Sequence, residues 1–126
     1  MILLDASALI ALLNDEAGAD AVAEALAGDE GGLSVVNLVE VLEYGVRTFA
    51  ATPAEQLDYL RERVTIVPVT EADAVTAAEL YPVTRQPALS LADRLALATA
   101  RRLGVQVLTA ERAWAGVPDV EVRLIR

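Results

Sequence analysis

Apolar and polar positions fall in short blocks along this chain, and their period switches repeatedly between that of a buried strand and that of a helix. Ile2 to Leu4 reads as an apolar strand running into Asp5, after which apolar residues recur at helical spacing through Leu9, Ile10 and Leu13 until Asn14-Asp15-Glu16 breaks them. A second helix is predicted from about Ala19 to Leu26, closed at Gly28, and the Gly31-Gly32 pair reads as a turn. Leu33 to Val36 reads as a short strand, and Leu38, Val41, Leu42 and Val46 mark a third helix reaching about Ala50. Thr52-Pro53 caps a fourth helix, which carries Leu57 and Leu60, because Thr suits the N-cap and Pro the first helical position.

The β-branched run Val64 to Val69 predicts the next strand. Thr70-x-x-Asp73 opens a helix in the capping-box pattern, which Pro82 is expected to stop after Tyr81. A loop over Val83 to Leu89 leads to a helix from Leu91 to Leu103, ended by Gly104. Val105 to Leu108 reads as a strand, Glu111 to Trp114 as a helical turn, and Val120 to Ile125 as a last strand. Strands alternating with helices over short connections predict an α/β fold with a central parallel sheet of four to five strands, flanked by helices and joined by right-handed crossovers.

Length and composition narrow this picture. The 126 residues make one domain, residues 1–126, and with 55% hydrophobic but only 4% aromatic residues its core must be built from Ala, Val, Leu and Ile. No apolar stretch approaches the roughly 20 residues that a membrane span needs, so a soluble, cytoplasmic protein without membrane association is expected. There is no Cys, hence no disulfide or thiolate site, and no His, hence no Ser-His-Asp triad and no imidazole ligand. All ten basic residues are Arg, which removes Schiff-base chemistry and a P-loop lysine. Chemistry here must rest on carboxylates, hydroxyls, Arg or a bound hard cation.

Four acids stand after strands or at helix starts: Asp5, Glu40, Asp93 and Glu111. Each also has an ordinary explanation. Asp5 suits the N-cap of the helix after it; Glu40, three residues after Asn37, and Asp93, three after Ser90, suit the third position of a capping box; Glu111 suits the first turn of a helix. Their conjunction points elsewhere, because a parallel sheet gathers its strand C-termini along one edge, where α/β proteins place their ligands. Carboxylates about 5 Å apart at an effective dielectric near 20 repel by roughly 3 kcal/mol a pair, so such a cluster wants a cation. Oxygen-only ligands favour Mg²⁺, with Mn²⁺ as substitute, and a metal-activated water hydrolyses phosphodiesters without histidine. The formal net charge of -9 fits either a basic partner or acids gathered in a cation-binding pocket.

The segments Leu4-Asp5-Ala6-Ser7-Ala8-Leu9, Ser34-Val35-Val36-Asn37-Leu38-Val39-Glu40, Leu91-Ala92-Asp93-Arg94-Leu95-Ala96-Leu97-Ala98 and Leu108-Thr109-Ala110-Glu111-Arg112-Ala113-Trp114 together resemble the PIN domain, in particular the VapC-type toxins of toxin-antitoxin pairs. The resemblance spans the whole chain. It implies a metal-dependent endoribonuclease acting on RNA, with Asp5, Glu40 and Asp93 holding Mg²⁺ and Ser7 and Thr109 orienting carboxylates by hydrogen bonds. It further implies a homodimer silenced by a small cognate antitoxin whose tail wraps the toxin and blocks the acidic pocket. The family usually shows Thr-x-Asp where this chain has Thr109-x-Glu111, so Glu111 is a candidate catalytic acid that departs from the pattern.

Arg94 and Arg112, each next to a candidate acid, are candidate phosphate contacts, with an ion pair or partner contact as the alternative. Glu43 is a spare ligand or part of a solvated helix face, Trp114 is expected in the core, and Tyr44 and Tyr81 carry no expected role. Two rival functions remain: a catalytically idle PIN-fold binding module, and a haloacid-dehalogenase-type phosphatase. The phosphatase needs Asp-x-Asp where Ser7 stands, and the chain has no Lys.

Overall fold

The three central strands are wholly buried, and each needs only three or four residues to cross the core. In a computed structural model that describes every residue except Pro87, β1 (Ile2–Leu4), β2 (Gly31–Ser34), β3 (Thr65–Val67), β4 (Val107–Thr109) and β5 (Val122–Leu124) form one sheet in the order β3-β2-β1-β4-β5. Every pairing is parallel, as the alternation of strands and helices predicts. The helices are α1 (Ala6–Leu13), α2 (Ala19–Gly28), α3 (Val35–Phe49), α4 (Pro53–Arg61), α5 (Glu71–Thr84) and α6 (Leu91–Leu103), with a 3-10 turn over Arg112–Trp114.

Alternation along β1 builds two cores. Ile2 and Leu4 face one side, where they pack with Leu9, Val22, Leu38, Val41 and Leu60 of the first four helices. Leu3 faces the other side and packs with Leu80, Leu97, Val107 and Trp114, so α5 and α6 cover that face. Trp114 is wholly buried, in keeping with the expected core role.

Several boundaries differ from expectation, each for a local reason. Gly31 and Gly32 lie inside β2 and make no turn: a Cβ on Gly31 would come within 2.6 Å of Leu26, and one on Gly32 within 2.8 Å of the Met1 sulfur. The glycines answer close packing against a strand. Val35 and Val36, expected to end that strand, open α3 instead, because Ser34 is at once the last residue of β2 and the cap of the helix, its hydroxyl accepting the Asn37 amide. Pro82 lies inside α5, which continues to Thr84; the Thr84 hydroxyl donates to the Leu80 carbonyl at 2.7 Å, and both residues are buried. The loop expected over Val83 to Leu89 thus begins late, and Pro87 within it lies outside the described residues.

The strand order has one consequence for function. From β1 the chain steps outward to β2 and β3, then returns to the other side of β1 for β4 and β5, so the direction of winding reverses between β1 and β4. The crevice beyond the carboxyl ends of strands at such a reversal is where doubly wound folds bind ligands. Asp5 follows β1 directly, and Thr109 ends β4.

Candidate active site

Asp5 sits between the last residue of β1 and the first of α1, so its backbone must leave the sheet and start a helix within one residue. Its side chain accepts the Ala8 amide at 2.8 Å, which is the N-cap expected of it. It is also only 3% exposed and held on both oxygens: the Ser7 hydroxyl donates to Oδ1 at 2.7 Å and the Thr109 hydroxyl to Oδ2 at 2.7 Å. Ser7 and Thr109 are fixed in turn, accepting the Ala110 and Glu111 amides at 2.9 Å each. The rotamer of Asp5 is therefore determined by β1, α1 and β4 together.

Glu40 is placed differently from expectation. Ser34, not Asn37, caps α3, so Glu40 lies in the second turn and is no member of a capping box. The wholly buried Asn37 donates Nδ2 to Glu40 Oε2 at 2.8 Å, while its own Oδ1 accepts the Ser34 hydroxyl at 3.1 Å. This Ser34–Asn37–Glu40 chain does for Glu40 what Ser7 and Thr109 do for Asp5. It is absent from the expected supporting residues, although an Asn three residues before a candidate acid is a signal for it.

Asp93 does not follow a strand. It stands in the first turn of α6, and it reaches the same edge because α6 runs back toward β4 and so begins at the carboxyl ends of the strands. The expected capping box is present: Asp93 Oδ2 accepts the Ser90 amide at 2.9 Å and the Ser90 hydroxyl accepts the Asp93 amide at 3.1 Å. Glu111 is the residue before the 3-10 turn and makes no capping bond with its side chain.

All four acids line one cavity of about 460 Å³, with Ser7, Ile10, Tyr44, Arg47 and Ser90. Burial pushes the Asp5 carboxyl up from the ordinary 3.8 to about 6; the bonds from Ser7, Thr109 and Ala8 pull the other way, and the charge of Asp93 adds to the rise. Burial likewise raises Glu40, against the pull of Asn37 and with the charges of Asp93, Glu43 and Glu111 behind it. Burial first, and neighbouring acids second, thus make Asp5 and Glu40 harder to ionise.

The two arginines picked by adjacency are not in this cavity. Arg94 donates to the Leu89 carbonyl at 3.0 Å, its guanidinium lies 5.1 Å from the Tyr81 ring centre, and it lines an apolar groove between α5 and α6. Arg112 is exposed and does not line the cavity either. The cation that does line it is Arg47, with Tyr44 beside it. Glu43 lines a neighbouring apolar groove with Val39, Leu42, Val46 and Pro53.

The PIN-domain profile matches residues 2–120. The chain belongs to the PIN-domain family. Proteins of this family are typically nucleases and generally use divalent metals. Among solved structures this PIN domain is similar to a toxin-antitoxin complex from Klebsiella pneumoniae, with a TM-score of 0.79 at 21% identity over 100% of this chain and 98% of that one. It is similar also to VapBC2 from Rickettsia felis bound to a DNA fragment from its promoter, with a TM-score of 0.76 at 17% identity over 98% of both chains. A third similar structure is VapC20 from Mycobacterium tuberculosis, a sarcin-ricin loop cleaving toxin, with a TM-score of 0.72 at 22% identity over 96% of this chain and 99% of that one. These likenesses show the fold. No curated protein matches the sequence. The haloacid-dehalogenase alternative gives way to the family match.

The donor set of this PIN domain suits a hard divalent cation: it is all oxygen, neighbouring acids add to the rise of Asp5 and Glu40, and it has one cation against four acids. Among the described residues, no three acids stand close enough together to hold a metal ion directly. The acids thus share a cavity without forming a closed coordination sphere, an arrangement compatible with Mg²⁺, which keeps several of its waters. No helix among the described residues is long and apolar enough to cross a membrane.

Proposed function

We propose that this PIN domain is a Mg²⁺-dependent endoribonuclease and the VapC-type toxin of a toxin-antitoxin pair. The observation that carries this reading is the convergence of Asp5, Glu40 and Asp93, from three separate elements, on one cavity at the point where the sheet reverses its winding. The similar VapC20 is a sarcin-ricin loop cleaving toxin, which supports reading this chain as a cleaving toxin, with RNA as its proposed substrate class.

Asp5, Glu40 and Asp93 would hold Mg²⁺, or Mn²⁺ in its place, with Glu111 as a further acid on the cavity wall. When bound, the ion supplies an acidic water and neutralises phosphate charge. The chain's own groups set the stage. Ser7 and Thr109 keep the Asp5 carboxylate in one orientation, Asn37 does so for Glu40, and the Ser90 amide fixes one oxygen of Asp93. Fixed carboxylates need no reorganisation when charge develops at the phosphate.

The proposed partners are an RNA substrate, a second copy of this chain and a small antitoxin. A basic antitoxin tail would find a complementary field in a chain of net charge -9, so its binding should weaken as salt rises. Salt-independent affinity would point instead to apolar contacts, for which the groove along α3 lined by Val39, Leu42, Val46 and Pro53 is suited.

A rival reading, an idle PIN-fold binding module, draws on the Glu111 departure and on the spacing of the acids. Asp5→Asn separates the two. The active toxin should lose growth inhibition and RNA cleavage in this variant while retaining its fold and antitoxin binding. Unchanged toxicity in Asp5→Asn would rule out the carboxylate mechanism.

A further inference from the structure

Two residues on the cavity wall are left unused by carboxylate chemistry. Tyr44 and Arg47 follow Glu40 on α3 by four and seven residues, a spacing that puts all three on one helix face, and all three line the cavity. Arg47 is the one cationic side chain among the described residues that line it. Glu43 precedes it by four residues, the spacing and order that favour a helical ion pair, yet no ion pair among the described residues involves Arg47.

Tyr44 is anchored. Asn14, which ends α1, donates its side-chain amide to the Tyr44 hydroxyl, and Phe49 meets the ring edge-on with centroids 6.1 Å apart. The ring is half-buried, held at its hydroxyl by Asn14 and against Phe49. Seven residues of helix rise roughly 10 Å, so the face leads from the carboxylates outward to the guanidinium.

A fixed aromatic ring beside an unpaired guanidinium is the combination that binds single-stranded nucleic acid, the base stacking on the ring and the phosphate bonding the guanidinium. Arg suits phosphate because its planar fork donates two parallel bonds. Around four acids an incoming polyanion is otherwise repelled, so a lone cation at this wall has a large effect on where a phosphate settles.

We propose that Tyr44 and Arg47 form a nucleotide-binding subsite, which holds a nucleotide flanking the scissile phosphate of single-stranded RNA. Tyr44 stacks on its base and Arg47 bonds its phosphate. The proposal rests on the ribonuclease reading given above, and it makes one face of α3 carry both Glu40 and, one to two turns on, the RNA register.

The test is steady-state cleavage of a fluorescein-labelled, mixed-sequence single-stranded RNA pool in Mg²⁺, with melting temperatures to verify folding. Arg47→Ala should raise KM about tenfold with a much smaller effect on kcat, and Arg47→Lys should recover part of the loss. Tyr44→Ala should raise KM about tenfold as well, whereas Tyr44→Phe, which keeps the ring but loses the Asn14 anchor, should recover most of that loss. The Mg²⁺ concentration for half-maximal rate should be unchanged in Arg47→Ala. An active wild type whose KM is unmoved by Arg47→Ala and Tyr44→Ala overturns the subsite alone. A shift in the Mg²⁺ requirement of Arg47→Ala without a change in KM also overturns it, because Arg47 would then serve only to neutralise the acids. A wild type without Mg²⁺-dependent cleavage overturns the ribonuclease reading, and the subsite with it.

Discussion

Asp5 serves two purposes with one carboxylate: it caps α1 through the Ala8 amide, and it stands buried at the floor of the acidic cavity with a hydroxyl on each oxygen. The second role has a thermodynamic signature. Because its carboxyl is raised from 3.8 to about 6, the folded metal-free protein keeps a proton that the unfolded chain has released between those values. Its contribution to stability therefore falls as pH rises from about 4 to about 6 and stays low above that, a loss of about 3 kcal/mol at most. Metal-free Asp5→Asn should accordingly melt above the wild type at pH 7, with the gap closing toward pH 4; a gap that does not change with pH would show that burial leaves no mark on this acid. A second prediction concerns Asn37, whose removal frees Glu40 to rotate. Asn37→Ala should slow RNA cleavage about 10- to 100-fold while costing about 1–2 kcal/mol in denaturant unfolding. At this scale the acids were legible in the sequence because strand ends and helix starts are marked by local patterns. Their supports were legible in part: Ser7 and Thr109 came through the family motif, whereas Asn37 looked like a cap. Arg94 lies outside the cavity for a geometric reason. Successive residues on a helix point about 100° apart, so the neighbour of Asp93 turns to Tyr81 and away from the cavity.

Among the elements, the strands and helices are where alternation and capping put them, and the exceptions have physical causes that a local pattern does not contain. Gly31 and Gly32 look like a turn until Leu26 and Met1 are seen against them. The parallel order of the strands, and with it the reversal beside β1, is a tertiary fact that aligns Asp93 with acids far from it in sequence. The docking of α6 on α5 helps set where Asp93 stands. Asp73, nearly fully buried at the start of α5, accepts Arg102 Nε at 2.8 Å and Nη2 at 3.1 Å from the end of α6, and also the Thr99 hydroxyl. Burial works to raise the Asp73 carboxyl, but the bonds from Arg102 and Thr70 outweigh it and hold the group below the ordinary range. Its stabilisation is thus complete above the ordinary carboxylate range and lost as pH falls through the lowered value, opposite in sense to Asp5. Asp73→Ala should cost about 2 kcal/mol in urea unfolding at pH 7, the figure being kept low because Arg102 remains partly in water. A cost under about 0.5 kcal/mol would mean that α5 and α6 dock by apolar packing alone.

For the molecule as a whole, the net charge of -9 gains meaning from its placement. Four of the acids face one cavity against a single arginine, so a divalent cation relieves repulsion there and should stabilise the fold. Mg²⁺ or Mn²⁺ at millimolar concentration is expected to raise the melting temperature of the wild type and to leave that of Asp5→Asn nearly unchanged; equal shifts in both would place the ion elsewhere. Under the proposed function, Asp5, Glu40 and Asp93 would hold the divalent ion, which would supply an acidic water for RNA hydrolysis. Such hydrolysis is tested most directly by incubating purified protein with RNA in Mg²⁺ and determining the ends of the fragments. Attack by water predicts 5′-phosphate and 3′-hydroxyl ends that vanish with chelator and in Asp5→Asn. Fragments ending in a 2′,3′-cyclic phosphate, or cleavage that survives chelation, would contradict it.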